Sequence, residues 1–184
     1  MFKLQIIEAG NDPVRSSQVA GLLRDYFLWL RRRYVNLPPV LDALSDEDAH
    51  RAELADLAGR YRTIVLALVD GVPAGCVMLR GLDAEAGEMK RLFVRPAFQG
   101  HGIAHALICR LATSAHESGY RTLRLETGPL QFEAQGLYNA LGFERIAPYY
   151  DAKPWVRENA LFFEGVPSAI AAVAGCRKQL RAAA

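Results

Sequence analysis

At 184 residues, 51% of them hydrophobic by type, the chain is long enough for one domain with a substantial core. A formal net charge of +2, with Lys and Arg scattered rather than gathered into a stripe, excludes a nucleic-acid partner recognised by charge alone. Cys76, Cys109 and Cys176 lie far apart with no CxxC pair, which argues against a disulfide framework or a zinc site and suits a reducing cytoplasm.

The opening "MFKLQIIEAGNDP" reaches polar residues too early for a signal peptide, and no apolar run approaches the roughly 18 residues of a spanning helix. The expectation is a soluble, intracellular protein that is neither membrane-bound nor bound to nucleic acid. "FKLQIIE" reads as a short strand ending at the turn-forming "AGNDP". From Ser16 to Tyr34, Val19, Leu22, Leu23, Tyr26, Phe27 and Leu30 fall at helical spacing. Arg31, Arg32 and Arg33 in its last turn complement the helix dipole or form a basic patch. The prolines of "VNLPPVLDAL" break that helix, and Ser45 with Asp48 reads as a capping box opening a second helix through Leu57.

"TIVLALVDGVPAGCVMLR" reads as two strands joined by a hairpin at Asp70-Gly71, and "GEMKRLFV" as a third. "RPAFQGHGIAHALICRL" then carries two glycines into a helix that runs from near Gly100 to about Ser118. "TLRLET" is a strand, Phe132 to Leu141 a helix, and "GFERI" and "ALFFE" are the last strands. That order of α/β (α+β) elements fits neither a pure doubly wound sheet nor a barrel.

A strand, a glycine turn and a helix N-terminus form a natural anion site, because the first N–H groups of a helix are unpaired and carry partial positive charge. Gly100 and Gly102 have no Cβ to hold a ligand away from the backbone. The turn is not a Walker loop, since no Lys follows, and the dinucleotide fingerprint fails where His105 replaces its third glycine. By itself the hexapeptide also fits a glycine-rich helix start without a ligand.

The neighbouring motifs narrow the choice. Gln99-Gly100-His101-Gly102-Ile103-Ala104 resembles the acetyl-coenzyme A pyrophosphate motif of the GNAT N-acetyltransferases, (Arg/Gln)-x-x-Gly-x-(Gly/Ala). "EMKRLFVRPAF" resembles that family's strand into the cofactor loop, "LRLET" the next strand, and "GLYNALGFERIAPYY" the LYxxLGF helix and strand. The likeness is specific from about Gly87 to Tyr150 and extends less closely from Leu4 to Glu164. It implies a domain over residues 1–166, with 167–184 as a helical or disordered extension.

The resemblance implies a mixed, mostly antiparallel sheet splayed at the cofactor strand and flanked by helices. The pantetheine arm of acetyl-CoA, the cosubstrate, would pair with Leu92, Phe93 and Val94. The pyrophosphate would take N–H groups of Gly100, His101, Gly102, Ile103 and Ala104. Gln99 stands where Arg is commoner, and Thr127 closes the next strand at the cofactor. Glu88 would be the general base, Tyr138 the general acid towards the departing thiolate, and the Val94 N–H the oxyanion donor. Structural alternatives are an exposed strand-end carboxylate for Glu88 and a core aromatic beside Leu137 and Leu141 for Tyr138. His101 and His105 fall on the phosphate side or the surface, and His50 and His116 show no partners in the sequence.

The implied acceptor is a primary amine on a small molecule or peptide, walled by about Trp29 to Tyr61 and Ala147 to Val156. Asp42, Asp46, Glu47, Asp48, Glu53 and Asp56 either suit a cationic acceptor or form a solvated helix face. Tyr149, Tyr150 and Trp155 either line a pocket or pack the last strands. No metal is expected, and a homodimer is left open. The rival reading is a non-catalytic acyl-CoA sensor.

Overall fold

The computed structural model describes residues 3–39, 46–173 and 176. Strand β1 (Leu4–Glu8) pairs antiparallel with β2 (Thr63–Val69), and β2 with β3 (Val72–Gly81). The β2–β3 turn is the expected Asp70-Gly71, both at positive φ (49° and 80°), as a tight hairpin requires. Strand β4 (Ala86–Val94) continues the antiparallel meander. It then runs parallel to β5 (Thr122–Thr127) over a short stretch, Ala86–Glu88 against Thr122–Arg124. Strands β6 (Glu144–Ile146) and β7 (Leu161–Gly165) complete a sheet ordered β1-β2-β3-β4-β5-β7-β6. The late β7 inserts between β5 and β6, which the chain order alone does not reveal.

Helix α1 (Pro13–Arg33) starts three residues earlier than its apolar spacing suggests. The Asp12 side chain accepts the Val14 and Arg15 N–H groups at 2.8 and 3.1 Å, and Pro13 occupies the first turn. Its Leu22, Leu23, Phe27 and Leu30 pack on one sheet face with Leu66, Met78 and Phe93. The second helical segment is two helices, α2 (Glu47–Ala55) and the single-turn α3 (Leu57–Arg60). Asp46 caps α2 by accepting the Ala49 N–H; Ser45 and Asp42 lie outside the described residues.

Helix α4 (Ile103–Glu117) packs on the opposite sheet face, where Leu107, Ile108 and Leu111 meet Val65, Val77 and Leu123. Helix α5 (Phe132–Ala140) follows β5, and α6 (Pro154–Asn159) precedes β7. Helix α7 (Pro167–Ala172) lies against α4 and buries Ile170. Beyond it, Cys176 is joined to Cys109 by a disulfide across 67 residues of sequence. This corrects the expectation from cysteine spacing: docking of the C-terminal segment on α4 brings together two residues distant in sequence. Cys76 is a free thiol in the core, and burial pushes its pKa up to about 12. No described helix is long and apolar enough to cross a membrane.

Candidate active site

The site originates in a fault in the β3–β4 ladder. Cys76 faces Phe93 and Met78 faces Lys90, so Val77 stands opposite two residues, Arg91 and Leu92. Arg91 takes φ +60°, the left-handed conformation of a β-bulge residue. Met89 and Leu92, three apart, consequently pack on the same core, which an unbroken strand with its period of two forbids. The Arg91 guanidinium holds the bulge from the other face, donating to both oxygens of Glu53 on α2 at 2.7 and 2.8 Å. Tyr61 donates to the same carboxylate at 2.5 Å. Burial opposes ionisation of Glu53, but Arg91 and Tyr61 outweigh it and hold the carboxyl below its usual range. Glu53 is therefore neither a solvated residue nor a free acceptor for a cation.

Beyond Glu88 and Arg124, β4 and β5 part. One cleft of about 360 Å³ runs from the gap to the head of α4. Leu92, Phe93 and Val94 line one side, and Gln99, Gly100, Gly102, Ile103 and Ala104 line its end. The Arg95 N–H bonds the Ala74 carbonyl at 2.9 Å, so ladder alternation turns the Val94 N–H away from β3, towards the gap. After a 3-10 turn at Pro96–Phe98, Gly100 and Gly102 adopt φ +78° and +74°. Gly102 is the N-cap of α4 and supplies no side-chain cap, so the helix begins at Ile103 with its first N–H groups facing the cleft's end. The Gln99 amide ties the loop to the strand, donating to the Val94 carbonyl at 3.0 Å. The His101 ring turns back to within 2.8 Å of the Gln99 carbonyl, while His105 lines the cleft.

A smaller cleft of about 70 Å³ adjoins it, the two sharing Leu92 and Gln131 as walls. Tyr138 and Thr127 line it together with Lys90 and Glu126. Tyr138 packs against Phe143 and Phe163, and burial pushes its phenol far above the usual range. Among the described residues its hydroxyl makes no hydrogen bond, and no fully buried side-chain polar atom lacks a partner. That leaves the hydroxyl open to the cleft. Thr127 donates to the Gln131 side-chain oxygen at 3.2 Å.

Glu88 is placed differently. It is 1% exposed on the last paired rung of β4 and β5, opposite Arg124. Its carboxylate accepts from Arg80 at 2.9 Å and from the Tyr149 hydroxyl at 2.6 Å, with the Lys90 ammonium at 3.5 Å. It is thus a buried, multiply bonded group and not an exposed strand end. Lys90 also contacts Glu126 at 3.0 Å, and Tyr150 donates to the other Glu126 oxygen. Burial works to raise the Glu126 carboxyl, yet Lys90 and Tyr150 hold it below the usual range.

Sequence reading did not single out Lys90, Glu126 or Gln131 as site residues, and it put Trp29 and Arg33 in the acceptor wall or a basic patch, whereas both line the larger cleft. Arg33 lies over Trp29 beside the larger cleft and bonds the Leu130 carbonyl and Glu133, linking α1 to α5. Arg31, Arg32 and Arg33 all stand in the last turn of α1, where cations suit the helix dipole, and for Arg33 the link comes in addition. The signal in the sequence is the adjacent Lys90-Arg91 pair, two consecutive charged residues within the strand, which marks broken alternation. His50 stacks on Phe27 at 3.8 Å, and Trp155 packs against the α1-side core.

Comparison with known proteins identifies the family and the fold. Residues 23–143 match the family model described as "Acetyltransferase (GNAT) family". The chain is 30% identical over 142 residues to the uncharacterised N-acetyltransferase YsnE of Bacillus subtilis, covering 76% of this chain and 87% of that one. It is 35% identical over 139 residues to the uncharacterised N-acetyltransferase YjgM of Escherichia coli, covering 74% and 78%. The putative acetyltransferase yncA of Salmonella typhimurium, solved with its cofactor acetyl-CoA, has the same fold. It superposes with a TM-score of 0.61 at 19% identity, over 89% of this chain and 94% of that one. On its sequence and its splayed sheet together, this chain belongs to the GNAT family of acetyltransferases.

Proposed function

We propose that the protein transfers an acetyl group from acetyl-CoA directly to a primary amine of a small molecule or peptide. The observation that carries this reading is the adjoining pair of clefts, which share Leu92 and Gln131 as walls. At one end lies an uncapped helix N-terminus behind two glycines, suited to a pyrophosphate. At the other lies Tyr138, and the gap-facing Val94 N–H belongs to the strand that lines the larger cleft. A linear cosubstrate with a phosphate end and a thioester end matches that layout, and the yncA structure holds acetyl-CoA in the same fold.

In this reading the Leu92–Val94 edge aligns the pantetheine arm as an added strand would. The Val94 N–H donates to the thioester oxygen as negative charge develops on it. Tyr138, protonated at neutral pH, donates towards the departing sulfur. The amine nitrogen enters from the face that carries Tyr26, Lys90 and Glu126. Release of free thiol from acetyl-CoA across amino acids, polyamines, aminoglycosides and lysine peptides tests the proposal. Amine-dependent release with mass gain on one acceptor supports it. Tight acetyl-CoA binding without release from any amine refutes it in favour of a sensor.

A further inference from the structure

We propose that His105, Cys109 and Cys176 form a redox-gated site for one thiophilic cation, and that zinc is the ion it fits. Under reducing conditions the ion takes over from the disulfide as the tie between α4 and the C-terminal segment. Neither statement depends on the acetyl-transfer reading above.

Docking of the C-terminal segment brings the three side chains together. His105 and Cys109 are four residues apart on α4, so they share one helix face a turn apart. The His105 Nδ1 lies 3.5 Å from the Cys109 sulfur. Cys176 meets them from beyond α7, and the three ligand atoms all lie within 4.8 Å of one another. The covalent link is not all that holds Cys176 in place. Its N–H donates to the Val173 carbonyl at 2.9 Å, and the buried Ile170 seats α7 on α4. Reduction therefore leaves two thiols beside one imidazole.

The spacing suits tetrahedral zinc. Zinc binds thiolate sulfur at about 2.3 Å and imidazole nitrogen at about 2.0–2.1 Å, which sets neighbouring N and S ligands about 3.6 Å apart. The His105–Cys109 pair already stands close to that separation. The Cα atoms of Cys109 and Cys176 are 5.3 Å apart, so both side chains reach an ion held between them. The surroundings point the same way. Both cysteines are fully buried in the α4-side core, where two bare thiolates are costly and a neutral zinc dithiolate is not. Thiolate and imidazole donors favour zinc over the hard cations magnesium and calcium. His105 is half-buried and lines the larger cleft, so an ion enters past its ring and a water completes the fourth position. Cys76 takes no part, because it belongs to the core on the other sheet face.

The exchange balances. A thiol or phosphine reductant supplies two electrons and solvent two protons, and the Cys109–Cys176 bond becomes two thiols. Zinc binding then releases both thiol protons to solvent. A peroxide reverses the change: the thiolates reform the sulfur–sulfur bond, the peroxide is reduced to water, and the ion leaves.

The test uses the full chain, reduced with a phosphine in chelator-treated buffer and titrated with zinc against a chromophoric chelator. One zinc per chain should bind. Cobalt in its place should show a thiolate charge-transfer band and the visible bands of a tetrahedral site. At zinc about 100-fold above its Kd, the melting temperature of the reduced protein should rise by roughly 5–11 °C. Peroxide should release the zinc, and the oxidised protein should bind no stoichiometric zinc. His105→Ala and Cys176→Ser should each weaken zinc binding by about 100-fold or more, since losing even an outer partner of a ligand costs about 10–100-fold. A reduced wild type that binds no zinc overturns the proposal, as does equal binding by reduced and oxidised protein. Undiminished binding by either variant overturns it too. Where a variant does not fold, the wild-type cobalt spectrum decides, and a spectrum without the thiolate band overturns the site.

Discussion

Gly75 touches the strand on which the site depends, and Gly75→Ala tests that dependence. A Cβ built there would stand 2.6 Å from the Phe93 carbonyl oxygen, 3.0 Å from Val94 Cγ2 and 3.2 Å from Val94 Cα. The obstruction is ladder backbone, because Gly75 faces Val94 and Cys76 faces Phe93, so no rotamer change relieves it. Restoring an ordinary contact near 3.4 Å requires the two strands to part by roughly 0.8 Å. Overpacking of this kind costs about 1–3 kcal/mol. In a domain of this size each kcal/mol shifts the midpoint by about 2–4 °C, so the melting temperature should fall by roughly 2–12 °C. The displaced segment also carries the gap-facing Val94 N–H, and a misplacement near 1 Å costs about 10²-fold in rate. Melting curves and thiol-release kinetics with the best amine measure both effects. A Gly75→Ala variant with wild-type melting temperature and wild-type turnover would refute the reasoning, since the strands would then absorb a methyl group without disturbing the oxyanion donor.

Tyr138→Phe keeps the ring against Phe143 and Phe163 but deletes the hydroxyl. Turnover should fall about 10²- to 10⁴-fold while the melting temperature holds, and unchanged single-turnover rates would reduce Tyr138 to packing. The Glu53 carboxyl is held below its unfolded value of about 4.3, so it contributes stability that is present above that pH and lost as pH falls through the folded pKa. Glu53→Gln should lower stability at pH 7 by about 3 kcal/mol, the low end for breaking a buried pair, and should flatten the acid limb of a melting-temperature profile. Reductant, or Cys176→Ser, opens a closed loop of 67 residues. Loop-closure entropy puts that loss at about 4 kcal/mol, or roughly 8–16 °C by scanning calorimetry, and a redox-insensitive melting curve would show that the link does not form in solution.

Local pattern in the sequence determined the hairpin at Asp70-Gly71, the amphipathic α1 and the glycine turn into α4, because each rests on contacts between near neighbours. The ordered motifs from Gly87 to Tyr150 likewise identified the family and the fold. The tertiary structure alone decided the insertion of β7 between β5 and β6, and the Cys109–Cys176 link, since both join segments far apart in the chain. It also decided the charge arrangement of the site. Glu53, Glu88 and Glu126 are equivalent carboxylates in sequence, yet one anchors the bulge through Arg91, one is bonded by Arg80 and Tyr149, and one faces the cleft. What separates Glu88 from Glu126 is the rung at which β4 leaves β5. The bulge at Arg91 belongs to that departure, and it is held by an α2 residue 38 positions away that no local pattern announces.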